Sequence, residues 1–573
     1  MKIVTRTYWG PNPFSIRPCI IIYFENVEKE EISIMKRSYI EVAHYLKRNF
    51  GYPAISDRKD PISNDDVFHF LSNAAIFILN YVRGDLDESG SMKDSGTPVI
   101  FVEFHQPELT VKAVKILLHM ILRISTKKDI ELNAILNDFW DECQSGHPDF
   151  QAHTLITAAK SKKLHYAYLG NKIWLYGMGI NSKTFFETST IDDLKSGTAT
   201  DKLSGKKIFS LAGAPTARYR VINNRAALLP AIDDIGFPCA IKPVHSGAGK
   251  GVTANIKTLD EVDFAYTEAS RFSKQSNEIM VEEYVPGRDY RLLFVRGDFV
   301  GCSSSIAPFV IGDGGKIVHE LIDNINSRRT RSLYKSNYLR PIKIDDSLIE
   351  ALSVQGIDLD TVLPPGKKVN LRRNTNLGGG GFSETFDNVH QEVLAIASRI
   401  AKHSGLHSVG IDYITEDISA PPSLSGGKFT ELNKVPGTPL FLAASYDITK
   451  LGCHFLGDGI GNIDVNLVIL KKDDFQEFLK SYRGECAIFL PNIVVRQSKA
   501  TKFEDNHFRQ LLFKVFSDKN LKALDIVAHL EFVEEFGFPT EYLTKVFVGK
   551  LCKTKMVSDT IRKLDCPVQY ACE

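Results

Sequence analysis

Apolar residues recur with two different periods in the N-terminal part of the chain. Residues 19–24 and 98–104 are short runs of branched and aromatic side chains, which is typical of buried strands. Residues 111–124 repeat their apolar side chains at helical spacing and keep their lysines on one side. Residues 1–151 are therefore predicted to mix short strands with helices.

The same patterns continue along the rest of the chain. They predict a helix over residues 153–163, two strands within 164–175, a buried strand over 237–243 and a helix from 393 to 401 that ends at Gly405. In the last part they predict strands near residues 465–470 and 487–495, and helices near 474–482 and 507–516. The alternation of the two kinds of element predicts an α/β (α+β) protein.

Composition excludes several classes of protein. The 573 residues allow roughly three or four domains at about 150 residues each. The 70 basic and 69 acidic residues give a net charge of +1, so neither nucleic acid nor a membrane surface is an expected partner. The N-terminus has no apolar segment typical of a signal peptide, and the nine cysteines lack C-x-x-C spacing. A cytoplasmic location is expected.

Residues 410–433 place three oxygen-bearing side chains on two predicted strands. Asp412 lies on the first strand, whereas Glu431 and Asn433 share one face of the second. Such oxygens suit Mg²⁺, which binds through a few carboxylates together with substrate phosphates. Taken alone, these residues are more often solvated strand ends, so the pattern leaves both interpretations open.

A glycine-rich loop, residues 245–251, follows the predicted strand 237–243. Its glycines allow backbone N–H groups to approach phosphate oxygens, and Lys242 and Lys250 add positive charge. The loop does not match G-x-x-x-x-G-K-[ST], so it is not a Walker loop. A hairpin loop without a ligand is the alternative.

Two further segments have the composition of ligand-binding sites. Residues 279–291 read as a strand, an acidic hinge, a Pro-Gly turn and a second strand, which suits an adenine edge and a ribose, or else a plain hairpin with charged ends. Residues 371–381 combine two arginines, two asparagines and four consecutive glycines, a poor structural choice without a ligand to order them.

Together these segments resemble the ATP-grasp superfamily, and within it the cyanophycin synthetases. The collinear motifs are GPNPFSIR, DK at Asp201, AIKPVHSGAGKGV, VEEYVPGRDYRLL, GDGG with HELID, QGIDLDTV, LRRNTNLGGGG, and GIDYI with ELNKVPG. They span residues 1–445 and agree best between Ile241 and Gly437.

The resemblance implies roles for individual residues. The residues matched to nucleotide binding are Lys202 and Lys242 for the phosphates, Gly247, Gly249, Lys250 and Gly251 for the flexible loop, Glu282, Glu283 and Val285 for the adenine hinge, and Asp289 for the ribose. Those matched to catalysis are Arg291, Arg372, Asn374 and Asn376, and those matched to metal binding are Asp412, Glu431 and Asn433. The implied cofactors are ATP and two Mg²⁺ ions, with Mn²⁺ as the alternative ion.

The implied reaction is an ADP-forming ligation of amino-acid or peptide substrates. ATP phosphorylates a carboxylate, and an amine then attacks the acyl phosphate to form an amide. Positioning and charge neutralisation are the main catalytic devices of such a reaction. A phosphotransferase and a non-catalytic nucleotide-binding scaffold are the alternatives, and whether the chain forms a homo-oligomer is left open.

Three domains are expected: an N-terminal cyanophycin-synthetase-like domain over 1–155, an ATP-grasp domain over 156–450 and a small α/β domain over 451–573. The chain departs from the cyanophycin synthetases because no Mur-ligase-like module with a Walker loop follows residue 445. A His/Glu/His-rich helix of the family is reduced here to the segment beginning at His69. The chain is therefore not expected to make the two-amino-acid polymer unaided.

Overall fold

The computed structural model of the chain describes residues 1–53, 64–82, 85–125, 132–195, 202–246, 249–273, 277–330, 339–372, 380–497, 499–503 and 508–570. Helices and strands are interspersed throughout, and the predicted α/β class is confirmed. None of the described helices is both long and apolar enough to span a membrane.

Packing divides the chain into two compact units. The first unit combines Met1–Thr184 with Leu456–Glu573, and the second combines Phe185–Thr330 with Asn337–Phe455. The division into domains 1–155, 156–450 and 451–573 stays a prediction.

The first unit begins with a four-stranded antiparallel sheet. Its strands are β1 (Lys2–Tyr8), β2 (Cys19–Glu25), β3 (Ser89–Asp94) and β4 (Thr97–Glu103), in the spatial order β1-β2-β4-β3. One face packs on helices α1 (Lys29–Phe50), α2 (Asn64–Asn80), α3 (Pro107–Ser125) and α4 (Leu132–Gly146). The predicted strands 19–24 and 98–104 and the helix 111–124 are confirmed by β2, β4 and α3.

A helix and a hairpin follow the N-terminal sheet. They are α5 (Phe150–Ser161), β5 (Tyr166–Gly170) and β6 (Ile173–Tyr176), as the sequence predicts. The side chain of Asp149 caps α5 by accepting hydrogen bonds from the backbone N–H groups of Gln151 and Ala152.

The second unit begins within β7 (Lys183–Phe186), which pairs with β8 (Ser189–Thr190). Two helices follow, α6 (Ile191–Lys195) and α7 (Lys202–Leu211). An antiparallel sheet follows, with strands β9 (Tyr219–Ile222), β10 (Cys239–Pro243), β11 (Thr253–Ile256) and β12 (Ile279–Glu283) in the order β11-β10-β12-β9. Helices α8 (Leu228–Ile235) and α9 (Leu259–Phe272) bury their apolar sides against it.

A second, five-stranded antiparallel sheet carries most of the predicted metal and catalytic residues. Its strands are β13 (Arg288–Val295), β14 (Asp298–Ile306), β17 (Phe382–Phe386), β18 (Ser408–Thr415) and β19 (Lys428–Asn433), in the order β17-β14-β13-β18-β19. The connections contain β15 (Phe309–Ile311), α10 (Val318–Thr330), α11 (Asp346–Ser353), β16 (Lys368–Asn370), α12 (Gln391–Ser404) and α13 (Pro422–Ser425), and the chain continues into α14 (Pro439–Ala443) and α15 (Ile448–Leu456).

One face of this sheet is apolar and packs against α7 and α12. Leu292 and Ile411 lie on that face, so their neighbours Arg291 and Asp412 point to the other face. Helix α12 ends at Gly405, which has a left-handed backbone (φ 66°), as the sequence predicts. Arg291 and Asp412 therefore share the face of the sheet opposite to the apolar core.

The C-terminal part of the first unit is a seven-stranded sheet. Its strands are β20 (Asp464–Leu470), β21 (Cys486–Phe489), β22 (Ile493–Arg496), β23 (Lys499–Lys502), β24 (Ala523–His529), β25 (Lys545–Val548) and β26 (Val568–Tyr570). The spatial order is β23-β22-β21-β24-β20-β25-β26, and the five strands from β21 to β26 in this order run parallel. Its helices are α16 (Lys472–Ser481), α17 (Phe508–Phe516), α18 (Leu530–Phe536) and α19 (Lys555–Ile561).

Most of the predicted C-terminal elements are confirmed, with one refinement. The predicted segment 487–495 forms the two strands β21 and β22, because a turn at residues 490–492 contains Pro491 and reverses the chain. Both parts of the first unit are joined by backbone hydrogen bonds. Trp9 N–H donates to the carbonyl of Phe536 (3.0 Å), and Phe538 N–H donates to the carbonyl of Pro11 (2.8 Å).

Candidate nucleotide and metal site

Three neighbouring strands bring the predicted metal and arginine residues into one row. Arg291 on β13 lies directly opposite Asp412 on β18, and Asp412 lies directly opposite Glu431 on β19. Directly opposed residues of antiparallel strands share a face. Asn433, two residues beyond Glu431, is on that face as well. The predicted adjacency of the Asp412 and Glu431 strands is confirmed.

Asp412 is the centre of this row. Its carboxylate accepts hydrogen bonds from Arg291 Nε and, at 3.2 Å, from Nη2, and it also accepts one from Asn433 Nδ2 at 3.0 Å. Arg291 Nη1 additionally donates to the carbonyl of Pro436 at 2.9 Å. The two-point contact fixes the plane of the guanidinium group and leaves Asp412 only 7% exposed.

Glycine at position 410 makes room for Arg291. A Cβ atom at Gly410 would lie 2.7 Å from Arg291 Cδ, well inside contact distance. The glycine of the GIDYI motif therefore has a packing reason that is specific to the arginine on the neighbouring strand.

Negative charge is concentrated beside Asp412. Burial and the charge of Asp412 raise the pKa of Glu431, whereas Lys202, Lys242 and Arg291 act to lower it. Asp289, two residues before Arg291 on β13, lies on the same face of the sheet, and its side chain is exposed. A cation among these carboxylates would relieve their mutual repulsion.

The donor set fits a divalent ion that is bound together with phosphates. Asp412, Glu431 and Asn433 offer two carboxylates and one amide oxygen, a small set of hard ligands typical of Mg²⁺ with substrate phosphates. Within the described ranges, no group of three His, Cys, Asp or Glu side chains is suited to hold a metal by itself. The site thus provides only part of a coordination shell.

Two lysines pair with one buried glutamate in another part of the site, and a third lysine lies at the glycine-rich loop. Glu282 on β12 is 6% exposed, and its carboxylate pairs with Lys242 Nζ and, at 3.2 Å, with Lys206 Nζ. Burial opposes ionisation of Glu282, but the two lysines lower its pKa below the usual value. The third lysine, Lys202, donates to the carbonyl of Ser246 at 2.7 Å. Lys202 therefore reaches the start of the glycine-rich loop.

Lys206 is not among the residues matched to the ATP-grasp motifs. Its side chain is 1% exposed and also donates to Thr216 Oγ1 at 2.7 Å. Burial lowers its pKa even though Glu282 acts to raise it. The sequence carries a signal for it, because Lys206 follows Lys202 by four residues and so lies on the same face of α7.

The glycine-rich loop is described in part. Gly249, Lys250 and Gly251 form a turn, with both glycines in the left-handed region (φ 71°). A Cβ atom at Gly251 would lie 2.9 Å from Phe272 Cδ2. Gly247 lies outside the described residues.

The predicted hinge follows Glu282. Glu283 makes two hydrogen bonds with the backbone of Arg218. The backbone N–H of Glu283 donates to the Arg218 carbonyl at 2.9 Å, and the Glu283 side-chain carboxylate accepts from the Arg218 N–H at 3.3 Å. Tyr284 N–H donates to the carbonyl of Pro238, and Val285 is 9% exposed. The adenine and ribose roles of Glu282, Glu283, Val285 and Asp289 stay predictions.

Arg372 forms hydrogen bonds with residues 343 and 345 of the second unit. Its Nη2 donates to Asp345 Oδ2 at 2.8 Å and to the carbonyl of Lys343 at 2.9 Å. Asn374 and Asn376, predicted to lie close to it, are outside the described residues. The catalytic role of these three residues stays a prediction.

Part of the second unit matches a known family model. Residues 207–298 match the family model of the ATP-grasp domain. The cyanophycin synthetase of Crocosphaera subtropica is 32% identical over 471 residues, which cover 78% of this chain and 54% of that protein. The glutathione biosynthesis bifunctional protein of Streptococcus thermophilus is 32% identical over 224 residues, which cover 38% of this chain and 29% of that protein.

Solved structures show a weaker likeness. A bifunctional glutathione synthetase from Pasteurella multocida is 15% identical, with a TM-score of 0.40, and the match covers 74% of this chain and 78% of that one. The chain spans about half the length of the Crocosphaera cyanophycin synthetase it matches. It contains an ATP-grasp domain and resembles the cyanophycin synthetases, as its motifs predict.

Proposed function

We propose that the chain is an ATP-dependent, ADP-forming ligase that joins the carboxylate of an amino acid or peptide to an amine. The observation that carries this proposal is the row of Arg291, Asp412 and Glu431 on three neighbouring strands of the second unit. The charges of Lys202 and Lys242 also act on Glu431. A carboxylate pair and several cations within one site are what a bound metal–triphosphate requires.

Each group has a distinct task in the proposed reaction. Lys202 and Lys242 bind phosphate oxygens, and the ion pair with Glu282 positions the Lys242 side chain. Asp412 orients Arg291, whose guanidinium plane is then fixed towards the reacting centre. Asp412, Glu431 and Asn433 would hold two Mg²⁺ or Mn²⁺ ions, which when bound neutralise phosphate charge.

The bond changes need no nucleophilic side chain. A carboxylate oxygen of the substrate attacks the γ-phosphorus of ATP, which forms an acyl phosphate and releases ADP. The amine then attacks the acyl carbon, phosphate leaves and an amide remains. The side chains act by positioning and by charge compensation, which is how phosphoryl transfer is usually catalysed. The names of the sequence relatives, a synthetase and a glutathione biosynthesis protein, support ligation over other uses of ATP.

The proposal is tested by phosphate release. Purified protein with ATP and Mg²⁺ should release phosphate only when a carboxylate and an amine substrate are both present in a pool of amino acids and peptides. Mass spectrometry of the product should show the two substrates joined with loss of water. A product that instead gains a phosphoryl group would identify a phosphotransferase, and no substrate-dependent release would contradict the proposal.

A further inference from the structure

Two parallel strands of the C-terminal sheet end in loops that are rich in lysine. Strands β20 and β25 are hydrogen-bonded neighbours, and the N–H of Gly549, just after β25, donates to the carbonyl of Ile469 at 2.8 Å. The loops that follow these two strands therefore begin side by side. Together with the helix starts behind them they carry five exposed lysines, which form the lysine surface: Lys471, Lys472, Lys550, Lys553 and Lys555.

Positive charge exceeds negative charge at this edge of the sheet. The loops after β20, β24 and β25, with the first turn of each helix that follows, contain three carboxylates, Asp473, Asp474 and Glu531. Glu531 already lies 3.1 Å from Nδ1 of His529. Within the part of the chain that the structure describes, none of the five lysines forms an ion pair, and Lys553 instead lies over an aromatic ring. The lysine surface thus keeps its charge available for an anionic partner.

Three of these lysines occupy positions where a cation destabilises the protein. Lys471 is the N-cap residue of α16 and makes no capping hydrogen bond, and Lys472 is the first residue of that helix. Lys555 likewise is the first residue of α19. The N-terminus of a helix carries partial positive charge, so acidic and hydroxyl side chains are preferred there and cations are unfavourable. A departure from local preference that brings the fold no gain is typical of a functional position.

An exposed leucine accompanies the lysines. Leu551 directly follows Lys550, and its side chain is 79% exposed. Its backbone lies in the left-handed region (φ 59°), which is uncommon for residues other than glycine, asparagine and aspartate. Tyr570, whose ring lies 4.9 Å from Lys553 Nζ, is also exposed. The lysine surface therefore offers apolar contacts as well as charge.

The lysine surface lies where open α/β sheets commonly bind ligands. Helix α16 packs on one face of the sheet through Phe475, whereas α18 and α19 pack on the other face through Phe532 and Val557. The connections after the neighbouring strands β20 and β24 therefore leave towards opposite faces. In open α/β sheets ligands bind outside the carboxyl ends of the strands at such a point. Lys471 and Lys472 follow β20 directly at this point.

The chemistry of the lysine surface favours a peptide over a phosphate ligand. Arginine is the side chain that recognises phosphate by planar two-point contacts, whereas lysine attracts any anion as a point charge. Residues 471–474, 529–531 and 549–555 include no arginine. Five lysines at separate backbone positions also exceed the number that a single phosphate group can contact. A chain with several carboxylates and an apolar side chain matches both the charge and the exposed leucine.

We propose that the lysine surface docks an acidic peptide segment of another protein. Carboxylates of the segment pair with the ammonium groups, and an apolar side chain between them contacts Leu551. The surface belongs entirely to the first unit, so this assignment does not depend on the proposed ligase reaction.

A fluorescently labelled peptide of about twelve residues, built from repeated Asp-Asp-Leu units, tests the proposal. Titration with the full chain up to about 300 µM, followed by fluorescence anisotropy, defines a Kd of about 100 µM. The Kd should rise at least about fivefold between about 50 mM and 300 mM NaCl, because salt screens exposed charges. Peptides of Lys-Lys-Leu units or of Asp-Asp-Ser units should bind at least about fivefold more weakly, since they lose the charge or the apolar contact.

Two variants connect the binding to the lysine surface. Lys471→Glu combined with Lys550→Glu should raise the Kd at least about tenfold, because two attractive charges become repulsive. The matched control, Lys480→Glu combined with Lys522→Glu, makes the same charge change at exposed lysines near the amino ends of the strands and should leave the Kd unchanged. Leu551→Asn removes the apolar side chain but tolerates a left-handed backbone, so it should raise the Kd about fivefold without lowering the Tm.

The possible results separate this proposal from its alternatives. Absence of binding at low salt, an unchanged Kd in Lys471→Glu with Lys550→Glu, or an equal rise in the control pair would overturn it. Displacement of the peptide by inorganic tripolyphosphate at or below the peptide Kd would identify a phosphate site instead. Saturating ATP with Mg²⁺ should leave the peptide Kd unaltered, and competition would place the peptide at the nucleotide site. Phosphate release by the Lys471→Glu and Lys550→Glu variant should equal that of the wild type, so failure of the ligase proposal would be seen separately.

Discussion

Lys206 Nζ lies 3.2 Å from Glu282 Oε2, while the other oxygen of Glu282 is paired with Lys242. One buried carboxylate thus forms ion pairs with two lysines, and one of them, Lys242, was matched to phosphate binding. With Lys206 present, Glu282 attracts Lys242 less strongly, and Lys242 keeps positive potential for a phosphate.

Substitution of Lys206 is expected to weaken ATP binding. In Lys206→Met the full charge of Glu282 acts on Lys242, and Thr216 loses its donor. We expect the Kd for ATP to rise about tenfold and the free energy of unfolding to fall by about 1–3 kcal/mol. Calorimetric titration and urea unfolding measure the two effects. Lys207→Met changes the exposed neighbour on the same helix, and equal effects from both variants would contradict this role for Lys206.

Glu431→Gln should separate activity from stability. The pKa of Glu431 is raised by burial and by Asp412, so its ionised form costs free energy in the absence of a cation. The variant should lose at least about a hundredfold in turnover, while its Tm without nucleotide is equal to or above that of the wild type. Glu416→Gln, at an exposed position after β18, serves as control. A lower Tm for Glu431→Gln, or unchanged turnover, would argue against a metal-binding role.

Because Gly410 packs against Arg291, adding a single methyl group at position 410 should reduce both stability and turnover. Gly410→Ala puts a Cβ atom 2.7 Å from Arg291 Cδ and so displaces the guanidinium group from Asp412. We expect a destabilisation of about 1–3 kcal/mol together with a marked drop in turnover. Gly459→Ala is a suitable control, since nothing lies within 4 Å of its Cβ position. Wild-type turnover in Gly410→Ala would show that the Arg291–Asp412 geometry is not needed.

Stability at acid pH should depend on His165. Burial, helped by Arg509, lowers the pKa of this imidazole from the usual 6.5 to about 3. The unfolded chain therefore takes up a proton below pH 6.5 that the folded chain does not, so stability falls as the pH falls from 6.5 towards 3. Between pH 7 and pH 5 the wild type should lose about 2 kcal/mol more than His165→Phe. Urea unfolding at both pH values measures this, and parallel losses would show that His165 does not titrate as described.

The sequence predicted those parts of the site that lie on regular elements. Asp412, Glu431 and Asn433 were predicted on adjacent strands from alternation and motif order, and the strand register puts them on one face. The packing reason for Gly410 was not predictable, because it depends on which strand pairs with β18. That pairing is a long-range property, which local periodicity does not encode.

Ion pairs between distant segments were also beyond sequence reasoning. Arg372 meets Asp345 at 2.8 Å although 27 positions separate them, and neither motif spacing nor charge pattern identifies the partner. In the C-terminal part the strands and helices were largely predictable from apolar runs. Their parallel order and their union with the N-terminal sheet required the structure, since apolar patterns specify elements but not their neighbours.

The hydrogen bonds from Trp9 to Phe536 and from Phe538 to Pro11 have a consequence for biosynthesis. A chain emerging from the ribosome presents residues 1–184 long before residue 536 exists, so this part of the first unit keeps apolar surface uncovered until residues 536–538 are made. The second unit, encoded between the two halves, can fold in the meantime. Truncation before residue 536 would thus leave residues 1–184 without these partners, and binding of chaperones to this part should persist until residues 536–538 have been made.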